Sequence, residues 1–256
     1  MRTDNLFNVS GKKVLITGST GGLGSSFAKG MAENGAVVIL NGRNTEKLKT
    51  QLQQFQEWGF KAYGYAFDVT DSEQINNAVE QIISEVGIID VLVNNAGINI
   101  RAPLEVYEDI DWEKVIATNL TAAFKVSRAV VKKMIEQKSG KIINIGSMQS
   151  ELGRATIAAY AASKGGIKML TRAMAVDWAK YNIQVNGIGP GYFKTDLTKP
   201  LYENPEFDAW LCGRTPSNRW GDPDELLGAL IYLSSAASNY TNGQMIYVDG
   251  GLLAAI

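Results

Sequence analysis

Histidine is absent from the 256 residues of the chain, and this absence excludes several kinds of active site. Without an imidazole there is no Ser-His-Asp or Cys-His catalytic group, and zinc has no histidine ligand. The usual general base near neutral pH is missing as well. Any proton transfer must therefore use tyrosine, lysine or carboxylate side chains.

Cysteine is almost as scarce, because Cys212 carries the one thiol of the chain. A single cysteine excludes an intramolecular disulfide and a metal site built from several thiolates, and we expect no bound metal. This cysteine usage is typical of a protein of the reducing cytoplasm, and we expect that location.

An excess of charge and a long hydrophobic run are also missing. Lys and Arg number 25 against 26 Asp and Glu, so the net charge of −1 offers no basic surface to nucleic acid or to an anionic membrane. The amino terminus leads into no apolar segment that is typical of a secretory signal. The longest strictly apolar stretch, 226–233, is too short to span a membrane. We therefore expect no nucleic-acid or membrane partner.

Short β-branched runs alternate with longer helical periods from residue 12 onward, which predicts repeated β-α units. Helices between successive strands force the strands to run parallel, with helices on both faces of the sheet. We therefore expect a single doubly wound, Rossmann-type α/β domain over residues 1–256, with Gly35, Gly59 and Gly87 ending helices. The predicted strands are 14–17, 36–41, 62–67, 91–94, 141–145, 183–187 and 244–248, and the predicted helices are 22–34, 44–58, 72–86, 110–137, 157–181 and 222–235.

One region, residues 190–220, breaks this alternation. It holds four of the six prolines of the chain together with six aromatic residues. A long connection inside a compact domain is usually a functional lid or a disordered excursion, and the aromatic content favours a lid.

A glycine-rich segment, Thr17-Gly18-Ser19-Thr20-Gly21-Gly22-Leu23-Gly24, follows the first predicted strand and opens the first predicted helix. Glycines there let backbone amides approach a pyrophosphate, and the helix N-terminus favours its negative charge. The segment therefore predicts a dinucleotide site, although its glycine spacing differs from the usual G-x-G-x-x-G.

The end of the second predicted strand indicates which dinucleotide is bound. NAD-binding folds normally place an acidic residue there, but no Asp or Glu occurs between Gly35 and Glu46. Gly42 leaves room instead, and the planar guanidinium of Arg43 matches a ribose 2′-phosphate. The sequence therefore favours NADP(H) over NAD(H).

Ser147, Tyr160 and Lys164 form the third group with chemical meaning. Tyr160 and Lys164 lie one helical turn apart, so their side chains share a face, and Ser147 ends the fifth predicted strand. A phenol is a poor base at neutral pH, but a nearby ammonium stabilises its ionised form. The group predicts proton exchange between Tyr160 and a substrate hydroxyl or carbonyl.

These residues resemble the short-chain dehydrogenases/reductases along the whole chain. The resemblance implies that Ser147 polarises the substrate oxygen, Tyr160 is the acid/base and Lys164 lowers the pKa of Tyr160 while binding the nicotinamide ribose. It further implies that Asn119 holds a water of a proton relay and that Thr195 contacts the nicotinamide carboxamide. Other matching segments are Asp68-Val69, Asn94-Asn95-Ala96-Gly97, Pro190-Gly191 and Val248-Asp249-Gly250-Gly251.

The same resemblance implies a cofactor site whose residues come from several separate segments of the chain. The residues expected to bind NADP(H) are Gly18, Ser19, Thr20, Gly22, Leu23, Gly24, Arg43, Asp68, Val69, Asn95, Ala96, Gly97, Tyr160, Lys164, Pro190, Gly191, Phe193 and Thr195.

Within that family, the segments 147–154, 191–196, 214–216 and 219–223 resemble the gluconate 5-dehydrogenases, which interconvert D-gluconate and 5-keto-D-gluconate. A polyol acid needs hydrogen-bond partners and a cation, and the loops near Ser147 offer both. Asn99, Ser150 and Glu151 are further polar groups of these loops. The residues expected to bind substrate are Arg101, Ser147, Gln149, Arg154 and Tyr160.

Other functions stay open at this point. The chain also fits another carbonyl reductase of the family, such as a 3-oxoacyl carrier-protein reductase or a 2-deoxy-gluconate 3-dehydrogenase, because only the substrate loops separate them. A non-catalytic nucleotide sensor would keep the fold without the chemistry. The long helices 110–137 and 157–181 carry apolar residues beyond one stripe, and the resemblance implies a homotetramer formed through them, with a dimer as the alternative.

Overall fold

Seven parallel strands form one sheet in the structure, a computed structural model that describes residues 6–196 and 198–255. The strand order is β3-β2-β1-β4-β5-β6-β7. The doubly wound parallel sheet predicted from the sequence is therefore confirmed. The strands are β1 Lys13–Ile16, β2 Val37–Gly42, β3 Ala62–Ala66, β4 Val91–Asn94, β5 Gly140–Ile145, β6 Ile183–Pro190 and β7 Met245–Val248.

Helices connect these strands and cover both faces of the sheet. Gly35, Gly59 and Gly87 follow the first three of them with φ of 81°, 79° and 107°, the left-handed conformation expected where a helix ends. The helices are α1 Gly22–Glu33, α2 Thr45–Glu57, α3 Ser72–Glu85, α4 Asp109–Ile116, α5 Ala122–Gln137, α6 Ala158–Trp178, α7 Lys199–Tyr202, α8 Pro205–Arg214 and α9 Leu227–Ser234.

The structure departs from the sequence prediction in two regions. A π-helical turn, Ala117–Thr121, interrupts the helix predicted over 110–137 and separates α4 from α5. The region 190–220, for which no helix was predicted, contains the helices α7 and α8. Both helices begin with a proline near their first turn, where its missing N–H costs nothing, and the proline content had obscured them.

Each face of the sheet has its own hydrophobic core. Val14 and Ile16 of β1 pack toward α1 and α9, whereas Leu15, between them, packs toward α3 and α5. All three side chains are completely buried. Strands covered on both sides need apolar residues at every position, which explains the continuous apolar runs in the sequence.

A buried polar network positions the helix that carries Tyr160 and Lys164. The amide of Asn94 donates to Ser127 Oγ and to Asn144 Oδ1, each at 2.8 Å. Asn144 in turn donates to Thr171 Oγ1 of α6 at 2.9 Å. Hydrogen bonds in such a dry setting are strong and directional, so they fix α6 against β4 and β5.

Lys141, at the start of β5, is a buried cation at the opposite end of the strand from the cavity-forming loops. It is 6% exposed, and its ammonium donates to Ser238 Oγ at 3.2 Å and Asn239 Oδ1 at 2.9 Å. No carboxylate lies within salt-bridge distance of it in the described part of the chain. Burial, together with the neighbouring charge of Lys12, lowers the pKa of Lys141 to about 8.

We predict that Lys141 makes the protein gain stability as the pH rises from about 8. Because the folded pKa lies below the ordinary value of 10.5, the unfolded chain binds more protons between these limits, and deprotonation favours the folded state. The contribution reaches at most about 1.4 kcal/mol per pH unit. In Lys141→Met this part of the slope of unfolding free energy against pH disappears, as urea titrations at several pH values measure. The control Lys132→Met, at an exposed position, keeps the wild-type slope. A wild-type slope in Lys141→Met as well would contradict the prediction.

Candidate active site

A cavity of about 660 Å³ lies at the carboxyl ends of the strands, where the strand order reverses between β1 and β4. Parallel α/β sheets bind ligands at this place, because loops leave the sheet in opposite directions there. Sixteen of the eighteen residues expected to bind the cofactor line this cavity, and Ser19 and Gly24 are the two that do not.

The glycine-rich segment forms one wall of the cavity and packs very closely against neighbouring backbone. Gly18 has φ of 63°, and a Cβ on it would lie 2.9 Å from the Cα of Ala96. A Cβ on Gly24 would lie 2.4 Å from the carbonyl oxygen of Gly18, so Gly24 supports the segment from behind. The N-terminus of α1 has no side-chain cap, unlike those of α2 and α3. Its first amides therefore fit the pyrophosphate of a dinucleotide.

Asn41, which the sequence analysis passed over, ties this segment to the sheet. Its Oδ1 accepts from the amide of Gly18 at 3.2 Å, and its Nδ2 donates to the carbonyl of Phe67 at 3.1 Å. Ser19 Oγ accepts from the backbone amide of Asn41 at 2.9 Å, which places Ser19 behind the cavity wall rather than on it. Asn41 is 1% exposed. The signal available in the sequence was a polar residue at the end of an apolar strand.

The loop after β4 is held against the loop after β1 by a second set of hydrogen bonds. The side-chain amide of Asn95 donates to the backbone carbonyls of Thr17 at 3.0 Å and Gly18 at 3.1 Å. Thr17 Oγ1 accepts from the backbone amides of Asn95 and Ala96 at 3.0 and 3.1 Å. The two loops thus form one rigid wall.

Arg43 lies at the far end of the same cavity and forms an ion pair with Asp68 at 3.6 Å. Partial burial opposes ionisation of Asp68, but hydrogen bonds from Thr70 and the Arg43 charge hold the pKa of this carboxyl below its usual value. The Arg43 side chain is 62% exposed and has no other salt-bridge partner in the described residues. Its remaining N–H groups are open to a ligand in the cavity.

Ser147, Tyr160 and Lys164 meet at the inner end of the cavity. Ser147 follows β5, and its Oγ accepts from the Gln149 amide at 3.1 Å. The ammonium of Lys164 donates to the carbonyl of Ile145 at 2.7 Å and lies 5.6 Å from the centre of the Tyr160 ring. The face shared by Tyr160 and Lys164 on α6 therefore points at the end of β5.

The electrostatics of this group are set by burial. Burial lowers the pKa of Lys164 to about 8. Burial also raises the pKa of Tyr160, while its hydrogen bond with Ser147 acts in the opposite direction. The phenol therefore carries a proton at neutral pH, as a proton donor requires.

Asn119 lies in the π-helical turn directly behind this group. Its Oδ1 accepts from the amide of Ile98 at 2.8 Å, and its Nδ2 donates to the carbonyl of Ile98 at 2.9 Å and to Ser163 Oγ at 3.1 Å. Turns of this kind often mark functional sites because they re-aim a side chain. Asn119 holds the loop after β4 in place, and its predicted water contact stays a prediction.

A second cavity, of about 350 Å³, meets the first at Ser147 and Tyr160, which line both. All five residues expected to bind substrate line it: Arg101, Ser147, Gln149, Arg154 and Tyr160. Residues from the loops after β4, β5 and β6 and from α7 enclose it. These five residues, which are spread over positions 101–160 of the sequence, therefore meet at one cavity in the structure.

The second cavity is cationic and rich in unused acceptors. No described residue that lines it is acidic, and burial followed by the nearby Arg154 charge lowers the pKa of Arg101. The side-chain oxygens of Asn99 and Gln149 are buried without a hydrogen-bond partner among the described residues. Buried acceptors normally have donors, so these two oxygens point to hydroxyl or amide donors on a ligand.

Two polar groups expected near the substrate turn elsewhere. Glu151 accepts hydrogen bonds from Lys168 and from the hydroxyl of Tyr247. Ser150 Oγ donates to the carbonyl of Lys164 at 2.8 Å. Both side chains brace the turn after Ser147 and do not line the second cavity, because stronger partners lie on α6 and β7.

Comparison with known proteins assigns the family. The sequence pattern that defines the family described as short chain dehydrogenase matches residues 12–206, and the chain belongs to this family. The 5-keto-D-gluconate 5-reductase of Escherichia coli strain K12 is 52% identical over 253 residues, which cover 99% of this chain and 100% of that protein. The 2-dehydro-3-deoxy-D-gluconate 5-dehydrogenase of Formosa agariphila is 51% identical over 254 residues, covering 98% of this chain and 96% of that protein.

A solved structure shows the same likeness in three dimensions. The gluconate 5-dehydrogenase from Burkholderia cenocepacia J2315, crystallised in complex with NADP and tartrate, has a TM-score of 0.97 and 49% identity, with 100% of each chain covered. The chain is therefore a short-chain oxidoreductase whose relatives include gluconate 5-dehydrogenases. Among the described residues, none of the helices combines the length and the apolar character of a membrane span, and no group of three or more Cys, Asp or Glu residues is placed to hold a metal.

We predict that Tyr160→Phe abolishes most of the turnover while leaving the nucleotide bound. The substitution removes one hydroxyl and keeps the ring, so the shape of both cavities is preserved. The kcat falls by about 10²- to 10⁴-fold, the usual contribution of general acid-base catalysis. Steady-state kinetics measures kcat, and fluorescence titration with NADPH is the control. Wild-type kcat in this variant would show that another group transfers the proton.

Proposed function

We propose that the protein is an NADP(H)-dependent dehydrogenase that interconverts D-gluconate and 5-keto-D-gluconate. The observation that carries the proposal is the second cavity, in which two arginines and two unpaired buried acceptors surround the entrance to Ser147 and Tyr160. The identities to the E. coli reductase and to the B. cenocepacia dehydrogenase support it.

A hydroxylated carboxylic acid matches these groups one by one. The carboxylate is a partner for a guanidinium, and the hydroxyls are donors for the Asn99 and Gln149 oxygens. A long acyl chain would leave both oxygens unsatisfied, which costs about 1–3 kcal/mol for each buried group. The site therefore favours a compact polyol acid over a fatty acyl substrate.

The proton chemistry follows from the positions of three side chains. In the reducing direction Ser147 donates a hydrogen bond to the substrate carbonyl oxygen, and Tyr160 transfers its proton to the same oxygen. The nicotinamide supplies the hydride for the carbonyl carbon when it is bound. The Lys164 ammonium beside the ring stabilises the phenolate that this transfer leaves, and the reverse direction uses that phenolate as base.

The residues of the first cavity fit an NADP(H) molecule. The uncapped N-terminus of α1 and the close-packed glycine segment would hold the pyrophosphate, and Lys164 and Thr195 would hold the nicotinamide end. Arg43 would take the 2′-phosphate, since no acidic residue follows β2 to bind a free ribose. The preference for NADP(H) over NAD(H) rests on this arginine.

We predict that Arg43→Ala weakens NADPH binding by roughly 10- to 150-fold and changes NADH binding by less than about 2-fold. Two charge-assisted hydrogen bonds to the 2′-phosphate are lost, and NADH has no such group. Titration of intrinsic fluorescence measures both dissociation constants. In the comparison variant Asn41→Ala, NADPH and NADH weaken together because the tether to Gly18 is lost. Equal weakening of both cofactors by Arg43→Ala would assign Arg43 to the fold.

We predict that Arg101→Ala or Arg154→Ala raises the KM for 5-keto-D-gluconate by about 10- to 150-fold, the loss expected for a charge-assisted contact. The KM for fructose, a ketose without a carboxylate, stays unchanged in the same variant. Steady-state kinetics with NADPH on both substrates measures the gap between them. The exposed arginine Arg128, which stacks on Phe124 away from both cavities, supplies the control Arg128→Ala. A wild type that reduces both substrates equally well would contradict recognition of the carboxylate by these arginines.

A second substrate of the same class is 2-dehydro-3-deoxy-D-gluconate, because the F. agariphila relative named for it is almost as similar as the E. coli reductase. Both substrates present a C5 carbon for reaction and a carboxylate at C1. They differ in the group at C2 and the hydroxyl at C3, so the ratio of kcat/KM between them decides which one the unpaired acceptors fit.

We also propose a homotetramer in the cytoplasm. Large apolar side chains are exposed on α4, α5 and α6, among them Ile110, Phe124, Met169 and Val176. Exposed apolar surface of this extent on neighbouring helices suits contact with a second copy of the chain. Sedimentation equilibrium tests the proposal, and a monomeric or dimeric mass would contradict it.

A further inference from the structure

Arg154 lies among aromatic rings that belong to the region 190–220. The centre of its guanidinium lies 4.6 Å from the ring centroid of Phe207, 5.9 Å from that of Tyr192 and 6.0 Å from that of Trp210. Its Nη1 also donates a hydrogen bond to the Tyr192 hydroxyl at 2.5 Å. Three rings and one hydroxyl thus surround a single cation.

These contacts compensate the Arg154 charge and occupy one of its donors. No carboxylate lies within salt-bridge distance of Arg154 in the described parts of the chain, and the Tyr192 hydroxyl takes one of its five N–H groups. Ring faces attract the guanidinium through their quadrupoles and restrict its rotation, while the other N–H groups stay available at the cavity. An arginine held in this way is prepared to bind an anion.

The rings in turn belong to a segment that is closed at its base. The amide of Gly221 donates to the carbonyl of Tyr192 at 2.9 Å, and the amide of Lys194 donates to the carbonyl of Gly221 at 3.1 Å. Phe207 packs against Tyr192 and Trp210 with ring centroids 5.8 and 5.2 Å apart. Helix α8 therefore presents Phe207 and Trp210 to Arg154 as one unit.

The loop that carries Arg154 is also constrained from the opposite side. Thr156 has φ of 68°, a left-handed conformation that a β-branched residue rarely adopts. Its carbonyl accepts from the amide of Ala102 at 3.1 Å, next to Arg101. The two arginine-bearing loops are thus joined, and the strained residue is held by its neighbours.

We propose that Phe207 and Trp210 are positioning residues for the substrate carboxylate, although neither lines the second cavity. They hold the Arg154 guanidinium at the cavity wall, and the same contact joins α8 to the loop that carries Arg154. This proposal rests on the proposed function, since the substrate proposed there carries the carboxylate that Arg154 binds. The competing explanation is that the rings only pack α8 onto the domain.

The two explanations differ in their effect on a charged and an uncharged substrate. Loss of packing would loosen the cavity for every substrate, whereas a misplaced Arg154 affects the carboxylate alone. We therefore expect Phe207→Leu and Trp210→Leu to raise the KM for 5-keto-D-gluconate by about 5- to 30-fold and to leave the KM for fructose within about 2-fold. The kcat at saturation stays near the wild-type value.

Controls separate the aromatic contact from a general disturbance. Phe207→Tyr keeps a ring face and retains the wild-type KM. Trp58 is the matched control, because it is also an exposed tryptophan beneath a cation, with Lys29 Nζ at 5.7 Å from its ring centroid, and Trp58→Leu changes neither KM. Trp210 is 52% exposed, so Trp210→Leu is expected to fold even if Phe207→Leu does not. Thermal unfolding checks each variant.

A measurement without turnover tests the position of Arg154 directly. Phenylglyoxal modifies accessible guanidinium groups, and peptide mass spectrometry follows Arg154 and Arg101 separately. We expect faster labelling of Arg154 in Trp210→Leu and unchanged labelling of Arg101. An equal rise in KM for both substrates, or unchanged labelling of Arg154, overturns the positioning role. A wild type inactive on 5-keto-D-gluconate would overturn the proposed function instead, and the labelling would then still show whether the rings hold Arg154.

Discussion

The close approach of the loops after β1 and β4 is the constraint on which the rest of the site depends. The strand order reverses between these neighbours, so their loops leave the sheet toward opposite faces and open a crevice at its edge. Gly18 touches Ala96 so closely that any side chain at position 18 would collide with the backbone. Asn41 and Asn95 hold this contact with buried amides. A crevice with such walls keeps its shape before any ligand arrives, and this lowers the entropic cost of binding.

The two cavities divide the tasks of binding. The first is built mainly from backbone and small residues at the strand ends, which suits a cofactor shared by a large family. The second is built from side chains of longer loops, including the loop of Arg154 and the start of α7. Ser147 and Tyr160 belong to both, so the proposed reaction takes place where the two cavities meet. Loop variation at the second cavity can then change the substrate without disturbing the chemistry.

Burial also governs how the ionisable groups behave. Lys164 and Lys141 are both removed from water, and the pKa of each falls to about 8. Lys164 stands beside the Tyr160 ring at the junction of the cavities, whereas Lys141 meets two neutral acceptors at the opposite end of β5. The same burial therefore lowers the pKa of a lysine beside Tyr160 at one end of the strand and adds only a pH-dependent destabilisation at the other.

Much of this protein was determined by its sequence alone. The alternation of apolar runs and helical periods defined the parallel sheet, because strands buried on both faces and helices buried on one leave distinct periodicities. The spacing of Tyr160 and Lys164 and the glycines around Gly18 placed the chemistry at strand ends, since such motifs act through local geometry. Only the tertiary structure decided that Asn41 ties down Gly18, that Glu151 turns toward Lys168 and Tyr247, and that Phe207 and Trp210 face Arg154. Those contacts join residues from separate elements, and their partners are chosen by packing, which no local pattern in the chain records.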